Sequence, residues 1–219
     1  GRTEMARNIV VARDPLVAEE AALAKLPDGV QSLRWHANEL SVDLIFQQLG
    51  SSDLFATRQS YLYLNVLDLK LRKAEGERLD SILAHLPPEI DVVCTQVFDS
   101  VAYRDEERML KGADMQRWAK GAKVEDLRRV SDANQAPGWL LRRAHERHGL
   151  KLTPAQAQRL LTLAGGRLSL AEGELSEGAA VLRIDRTAYV PSGRPIEFTR
   201  GLYRSDIYDF IAELRLDAP

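Results

Sequence analysis

The stretch "NIVVARDPLVAEE", residues 8–20, decides the fold. The apolar run from Ile9 to Ala12 predicts a short buried strand, and Asp14 followed by Pro15 predicts the start of a helix. Aspartate is a favoured N-cap because its side-chain oxygen accepts a hydrogen bond from a free amide of the first turn. Proline suits the first helical position, where no amide hydrogen is needed. The sequence therefore opens on a strand, a turn and a helix.

The turn between this strand and this helix is unsuited to phosphate. A GxxxxGK[ST] motif occurs nowhere in the chain, and Asp14 and Pro15 stand where that loop is expected. The aspartate adds a like charge and the proline lacks an amide hydrogen, so the turn cannot cradle a phosphate group. Neither a GxGxxG after a strand nor a GxSxG elbow is present. The sequence thus indicates no cofactor, no ATP hydrolysis and no catalytic residue.

Predicted strands and helices alternate beyond the opening. Strand-like runs are "VQSLRWHA", "QSYLYLNVLDL" and "IDVVCTQVF", and helical spacing is found in "ELSVDLIFQQL" and "AEGERLDSILAHL". Such alternation is typical of crossover units and a mainly parallel sheet. A charged helix is predicted over "YRDEERMLKGADMQRWAKGAKV", residues 103–124. We expect an α/β domain over residues 1–128.

Three helices with short turns follow in residues 129–176. Thr153 and Pro154 predict the start of the second helix, and Gly165-Gly166 predicts its end. A small helical bundle, or lid, is therefore expected. In residues 177–219, two strand-like runs flank "PSGR", which predicts a β-hairpin tail.

Composition limits the partners and the compartment. The formal net charge is −2, so no global field attracts nucleic acid or an anionic membrane. Cys94 is the one cysteine, lies in an apolar run and is expected in the core. An apolar run long enough to span a membrane, about 18 residues, is lacking, as is an opening signal segment. We expect a cytoplasmic protein without a membrane partner.

The first predicted lid helix is locally basic. Arg142, Arg143 and Arg147 either form a solvated face or contact a DNA backbone, and any such contact is expected to be weak or indirect. His145 and His148 lie three residues apart without a suitable carboxylate in the same segment. No metal site is predicted there.

Residues 8 to 175 resemble the delta subunit of the bacterial DNA polymerase III clamp loader. The similar segments, in order along the chain, are "DPLVAEEA", "LFATRQSYLYLN", "AEGERLDSILAHLPPEIDVVC" and "PGWLLRRAHERHGLKLTPAQAQRLLTLAGGRLSLAEGEL". The resemblance implies a AAA+-like fold that has lost ATP binding. It also implies a non-catalytic subunit of the replicative polymerase assembly, which binds the ring-shaped sliding clamp (the beta subunit) and lets one interface open.

The family's clamp contact is an apolar pair inserted into a pocket of the clamp, and the matching residues here are Leu54 and Phe55. The alternative is that both pack under the next strand as core. Arg58 either supports this loop or reaches an acidic group. The family's C-terminal collar domain has no counterpart in the sequence, so binding to the other loader subunits is doubtful.

Residues 177 to 219 resemble a different family. "GRPIEFTRGLYRSDIYDF" is similar to the end of the UTRA domain, the effector-sensing domain of GntR-type repressors of the HutC branch. The resemblance implies contacts from Glu197 and Tyr203 to a small effector. The alternative is that both are plain strand residues. The chain is thus either a replication module, a ligand-sensing regulator fragment, or a fusion, natural or engineered, without function beyond folding.

Overall fold

The computed structural model of the chain describes residues 7–30, 32–50, 58–99, 102–175, 181–189 and 195–204. Within these ranges the helices are α1 Pro15–Leu23, α2 Val42–Gly50, α3 Lys73–Ala84, α4 Tyr103–Leu110, α5 Ala113–Ala119, α6 Ala136–His148, α7 Pro154–Leu163 and α8 Leu168–Gly173. The strands are β1 Asn8–Ala12, β2 Ser32–His36, β3 Gln59–Leu64, β4 Ile90–Val97, β5 Lys123–Asp126, β6 Val181–Tyr189 and β7 Pro195–Arg204.

The first five strands form one sheet in the order β2-β3-β4-β1-β5, and every neighbouring pair is parallel. This confirms the α/β class and the parallel sheet. The central strands β1 and β4 are buried along nearly their whole length, as strands covered on both faces should be.

Helices cover both faces of the sheet, and β1 shows how. Ile9 and Val11 pack into a large core with residues of α2, α3 and α5, while Val10 packs with residues of α1 on the opposite face. The alternation follows from the two-residue period of a strand. Cys94 lies in the large core and is 2% exposed, which confirms the prediction for it. Burial raises the pKa of its thiol to about 12.

The long charged helix predicted over residues 103–124 is wrong. The segment forms two helices, α4 and α5, and then the edge strand β5. Gly112 caps α5 in an extended conformation, and Gly121 takes a positive φ of 73°, which favours glycine and ends the helical segment. The sequence "KVED" did not predict this strand, because most of its residues are exposed and they show no apolar pattern.

The three predicted lid helices are confirmed as α6, α7 and α8. Thr153 caps α7 by accepting from the amide of Gln156, whose side chain accepts in turn from the Thr153 amide. Gly149, with φ of 66°, ends α6. The lid core is built from leucines and alanines and includes Ala12, Val17 and Ala18 of the α/β region, so the lid packs against α1.

The predicted hairpin is confirmed as a backbone pairing. Strands β6 and β7 are antiparallel, with Val181 opposite Arg204 and a shift in register at Ala188/Tyr189. The predicted "PSGR" turn and the segment "IYDFIAELRL" lie outside the described residues.

Candidate functional site

A cleft of about 480 Å³ opens between the sheet and the lid. It is lined by the segments that leave β1 and β4, by α4, and by the turn between α7 and α8; the lining residues include Arg13, Asp14, Phe98, Asp99, Tyr103, Glu106 and Gly165–Arg167. Ligands of parallel α/β sheets bind at the carboxyl ends of the strands, near the point where strand order reverses. This cleft therefore lies where a nucleotide would be expected.

Asp14 takes the position between two helix N-termini at the edge of this cleft. Its side chain is 3% exposed. Oδ1 accepts a hydrogen bond of 3.0 Å from the Leu16 amide in the first turn of α1, and Oδ2 accepts one of 2.9 Å from the Ser169 amide in the first turn of α8. A carboxylate that accepts from two backbone amides is a strong, charge-assisted acceptor. The N-cap predicted for Asp14 is confirmed.

A second buried carboxylate, that of Glu106, lines the cleft. Glu106 is 1% exposed and accepts from Arg13 Nε at 2.9 Å, from Arg13 Nη2 at 3.0 Å and from Arg128 Nη1 at 3.2 Å. Arg13 also contacts Asp132 at 2.7 Å. Hydrogen bonds to Asp126 raise the pKa of Arg128 above its ordinary value, and so the guanidinium stays charged.

The charged groups around the cleft pair with one another, which is typical of a structural role. The guanidinium groups of Arg13 and Arg128 are already engaged by carboxylates of the same chain, and Asp14 presents negative charge where a phosphate would lie. Among the described residues, no group of three or more histidine, cysteine, aspartate and glutamate side chains could hold a metal ion. The cleft therefore has the position of a nucleotide site, but Arg13 at its wall is already paired and Asp14 adds a carboxylate there.

The second candidate site is the segment between α2 and β3. Leu54 and Phe55 fall within residues 51–57, outside the described residues. Arg58, at the end of this segment, forms a bidentate pair with Asp91 of β4, with Nε to Oδ2 at 2.6 Å and Nη2 to Oδ1 at 2.9 Å. The guanidinium of Arg58 thus contacts an acidic group of its own chain, and a part for Arg58 in clamp binding stays a prediction. This contact joins Arg58, the first described residue after the segment, to β4.

The sequence interpretation did not include an exposed aromatic residue of α2, the helix before that segment. Phe46 of α2 is 48% exposed, and the guanidinium of Arg78 from α3 lies 4.9 Å from its ring centroid. In the sequence, Phe46 departs from the helical apolar spacing of Leu44, Ile45 and Leu49. This departure was the feature that could have indicated an exposed aromatic side chain. A shallow cleft of about 280 Å³ adjoins the ring.

The three arginines of α6 do not share one environment. Arg143 is 14% exposed and contacts Glu20 of α1 at 2.5 Å and Glu172 of α8 at 3.1 Å. Arg147 contacts Glu20 at 3.2 Å. Arg142 is exposed, and within the described part of the chain no ion pair is formed by it. A DNA-backbone contact stays a prediction, for which Arg142 is the most available of the three.

His148 has a carboxylate partner that its own helix does not supply. Its Nε2 lies 2.9 Å from Oε1 of Glu172. Partial burial raises the pKa of Glu172, but hydrogen bonds from His148 and Arg143 outweigh this and hold that pKa below its ordinary value. The partner lies 24 residues away along the chain, and the local sequence could not indicate it.

Glu197 and Tyr203 both lie in β7. In the backbone register Glu197 pairs with Ala188 and Tyr203 pairs with Leu182. The effector contact predicted for them stays a prediction.

Taken together, these features define a AAA+-like α/β domain with a helical lid and no P-loop. The chain is similar to the DNA clamp loader delta protein (YqeN) of Bacillus subtilis, at 13% sequence identity and a TM-score of 0.50. The match covers 77% of this chain and 51% of that protein, so the chain spans about half its length. This likeness shows the fold and confirms the resemblance at that level.

Two further solved structures are similar at a lower level. One is a DNA replication initiation factor, at 12% identity and a TM-score of 0.39, covering 78% of this chain and 54% of that chain. The other is a DNA polymerase III gamma subunit-related protein of Thermotoga maritima, at 11% identity and a TM-score of 0.31, covering 81% and 75%.

The family model of the UTRA domain matches residues 174–209, which confirms the second resemblance. None of the curated protein sequences compared with the chain matches it. In the part of the chain that the structure describes, no helix is both long and apolar enough to cross a membrane.

Proposed function

We propose that the chain is a clamp-loader delta-like module of DNA replication, which binds the ring-shaped sliding clamp and opens it without hydrolysing ATP. The observation that carries the proposal is the pair Leu54-Phe55 in the segment between α2 and β3 of a delta-like fold, with Arg58 tied to Asp91 at its end. The Asp14 carboxylate in the expected phosphate position supports the absence of ATP chemistry.

The energetics of two apolar anchors fit such a role. Burying a leucine and a phenylalanine side chain in a dry pocket stabilises a complex by about 1.5–3 kcal/mol each. Interface anchors of this kind dominate affinity. Their joint removal is therefore expected to weaken clamp binding by about a hundredfold or more, since every 1.4 kcal/mol is tenfold.

The test is a titration of the chain against a bacterial sliding clamp, beside the double variant Leu54→Ala/Phe55→Ala. A matched control is Leu163→Ala/Leu170→Ala, since these leucines of α7 and α8 are 56% and 50% exposed and lie in the lid. We expect the first variant to lose binding and the control to keep it. Absence of binding by the unaltered, cooperatively folded chain would overturn the proposal, as would equal losses in the two variants.

A second candidate function rests on the UTRA match over residues 174–209. We propose that the tail binds a small anionic sugar or organic acid through Glu197, Tyr203 and Arg200. Calorimetry with a panel of sugar phosphates and dicarboxylic acids tests it, with Arg200→Gln as the variant expected to lose the heat of binding. No heat with any ligand, at protein concentrations of about 1 mM that detect weak affinities, would refute this function and leave the first one untouched.

A further inference from the structure

The lid is joined to the α/β domain through a buried carboxylate that serves both. Asp14 accepts from Leu16 of α1 with one oxygen and from Ser169 of α8, 155 residues later, with the other. The N-termini of α1 and α8, which carry partial positive charge, thus both face the Asp14 carboxylate. This arrangement stabilises the two helices and the carboxylate. Each oxygen thus binds the backbone of a different domain.

Neighbouring contacts place the same two bodies in a fixed relation. Arg13, one residue earlier, contacts Asp132 at the start of the lid segment at 2.7 Å. Glu20, six residues after Asp14 on α1, contacts Arg143 and Arg147 of α6. Three anchors, at residues 13, 14 and 20, therefore connect β1 and α1 with the lid.

The packing between these anchors is close. Val17 and Ala18 of α1 belong to one buried core with Ala144 of α6 and Ala171 of α8. Small side chains permit a short distance between helices, and the backbone of α8 thereby comes within reach of a side chain as short as that of Asp14. A side chain shorter than that of aspartate would not reach both amides.

From this geometry we infer that Asp14 is an interdomain latch, which holds the lid on α1 without any bound nucleotide. In the cleft where a phosphate would otherwise connect sheet and lid, the chain supplies its own anion. The lid angle is then a fixed property of the polypeptide and does not respond to nucleotide. This inference rests on Asp14 and the lid alone, so it stands or falls independently of clamp binding.

The experiment measures the distance between the two bodies. Spin labels are placed at Glu77→Cys of α3 and Arg159→Cys of α7, both exposed positions. The labelled full chain is compared with Asp14→Ser and Asp14→Asn. Serine still caps α1 but is too short to reach Ser169, and asparagine has only one acceptor oxygen for two amides.

We expect one narrow distance distribution in the unaltered chain, the same with and without MgATP, and a broad or shifted one in both variants. Thr153→Ala is the matched control, because it removes a cap that lies wholly within the lid. It should lower stability and leave the distance unchanged. A narrow, unaltered distribution in the folded Asp14 variants would overturn the inference, and so would a shift of the unaltered chain on addition of MgATP.

Discussion

At the scale of single residues, a buried carboxylate and an exposed one are expected to contribute differently to stability, because a buried charge is costly to leave without a partner. Glu106 and Glu107 are adjacent and share Arg128 as a partner, but Glu106 is 1% exposed and Glu107 is 32% exposed. Breaking a buried ion pair leaves an uncompensated charge, whereas most surface pairs contribute little. The two neighbours therefore form a natural pair for comparison.

We expect Glu106→Gln to lower the free energy of unfolding by about 1–3 kcal/mol, because a single amide oxygen then faces three buried N–H donors of Arg13 and Arg128. The two arginines keep Asp132 and Asp126 as partners. Glu107→Gln should cost about 0–1 kcal/mol. Urea unfolding followed by circular dichroism measures both. Equal effects from the two changes would show that burial of Glu106 does not set its contribution.

A second residue-scale prediction concerns Arg58, and it rests on the proposed clamp binding. The bidentate pair with Asp91 holds Arg58, the residue that follows the segment carrying Leu54 and Phe55. Arg58→Lys keeps the charge but cannot form both bonds. Because preorganisation of a binding loop reduces the entropy lost on association, we expect about tenfold weaker clamp binding.

The measurement is the clamp titration with Arg58→Lys, Asp91→Asn and the double variant. If Arg58 acts through Asp91, the double variant should bind no worse than either single one. Losses that add would instead indicate that Arg58 contacts the clamp directly.

At the scale of elements, the sequence pattern predicted those strands and helix ends that depend on nearby residues alone. The apolar runs gave β1 and β4, and the Thr153-Pro154 signal gave the start of α7. Strand β5 could not be predicted in this way, because an exposed edge strand needs no apolar residues and is held by backbone bonds to β1. The contact of Asp14 with Ser169 depends on how α1 and α8 pack, which no local pattern records.

Glu172 gives the prediction at this scale, since it joins α8 to α6 through His148 and Arg143. A carboxylate whose pKa is lower in the folded chain than in the unfolded chain stabilises the fold at pH values above its unfolded pKa. That contribution is lost as pH falls through the folded pKa. The unfolded reference is 4.5.

Glu172→Gln should therefore be less stable than the unaltered chain near neutral pH, and the difference should shrink below about pH 4.5. Unfolding midpoints measured at intervals from about pH 6 to 3 test this. Glu146→Gln is the control, since Glu146 is an exposed residue of α6. A difference between Glu172→Gln and the unaltered chain that stays constant over this range would contradict the role given to Glu172.

At the scale of the whole molecule, two hydrophobic cores differ in composition. The core on the α2, α3 and α5 side contains large aromatic residues, among them Tyr63, Phe98 and Trp118. The core shared by α1 and the lid consists mainly of buried leucines and alanines, whose side chains are smaller. We propose that the division near residue 128 marks two units of unequal stability, of which the lid opens first.

Two buried leucines, each 0% exposed, test this division: Leu79 of α3 in the first core and Leu140 of α6 in the second. Truncating either to alanine removes about 2–5 kcal/mol. Leu140→Ala destabilises the closed state against both lid opening and global unfolding, so amide protection should fall in α7 and in β4. Leu79→Ala affects only global unfolding, so protection should fall in β4 and stay unchanged in α7. Native-state hydrogen exchange distinguishes the outcomes, because equal losses in both elements from Leu79→Ala would mean that the lid and the sheet unfold as one cooperative unit.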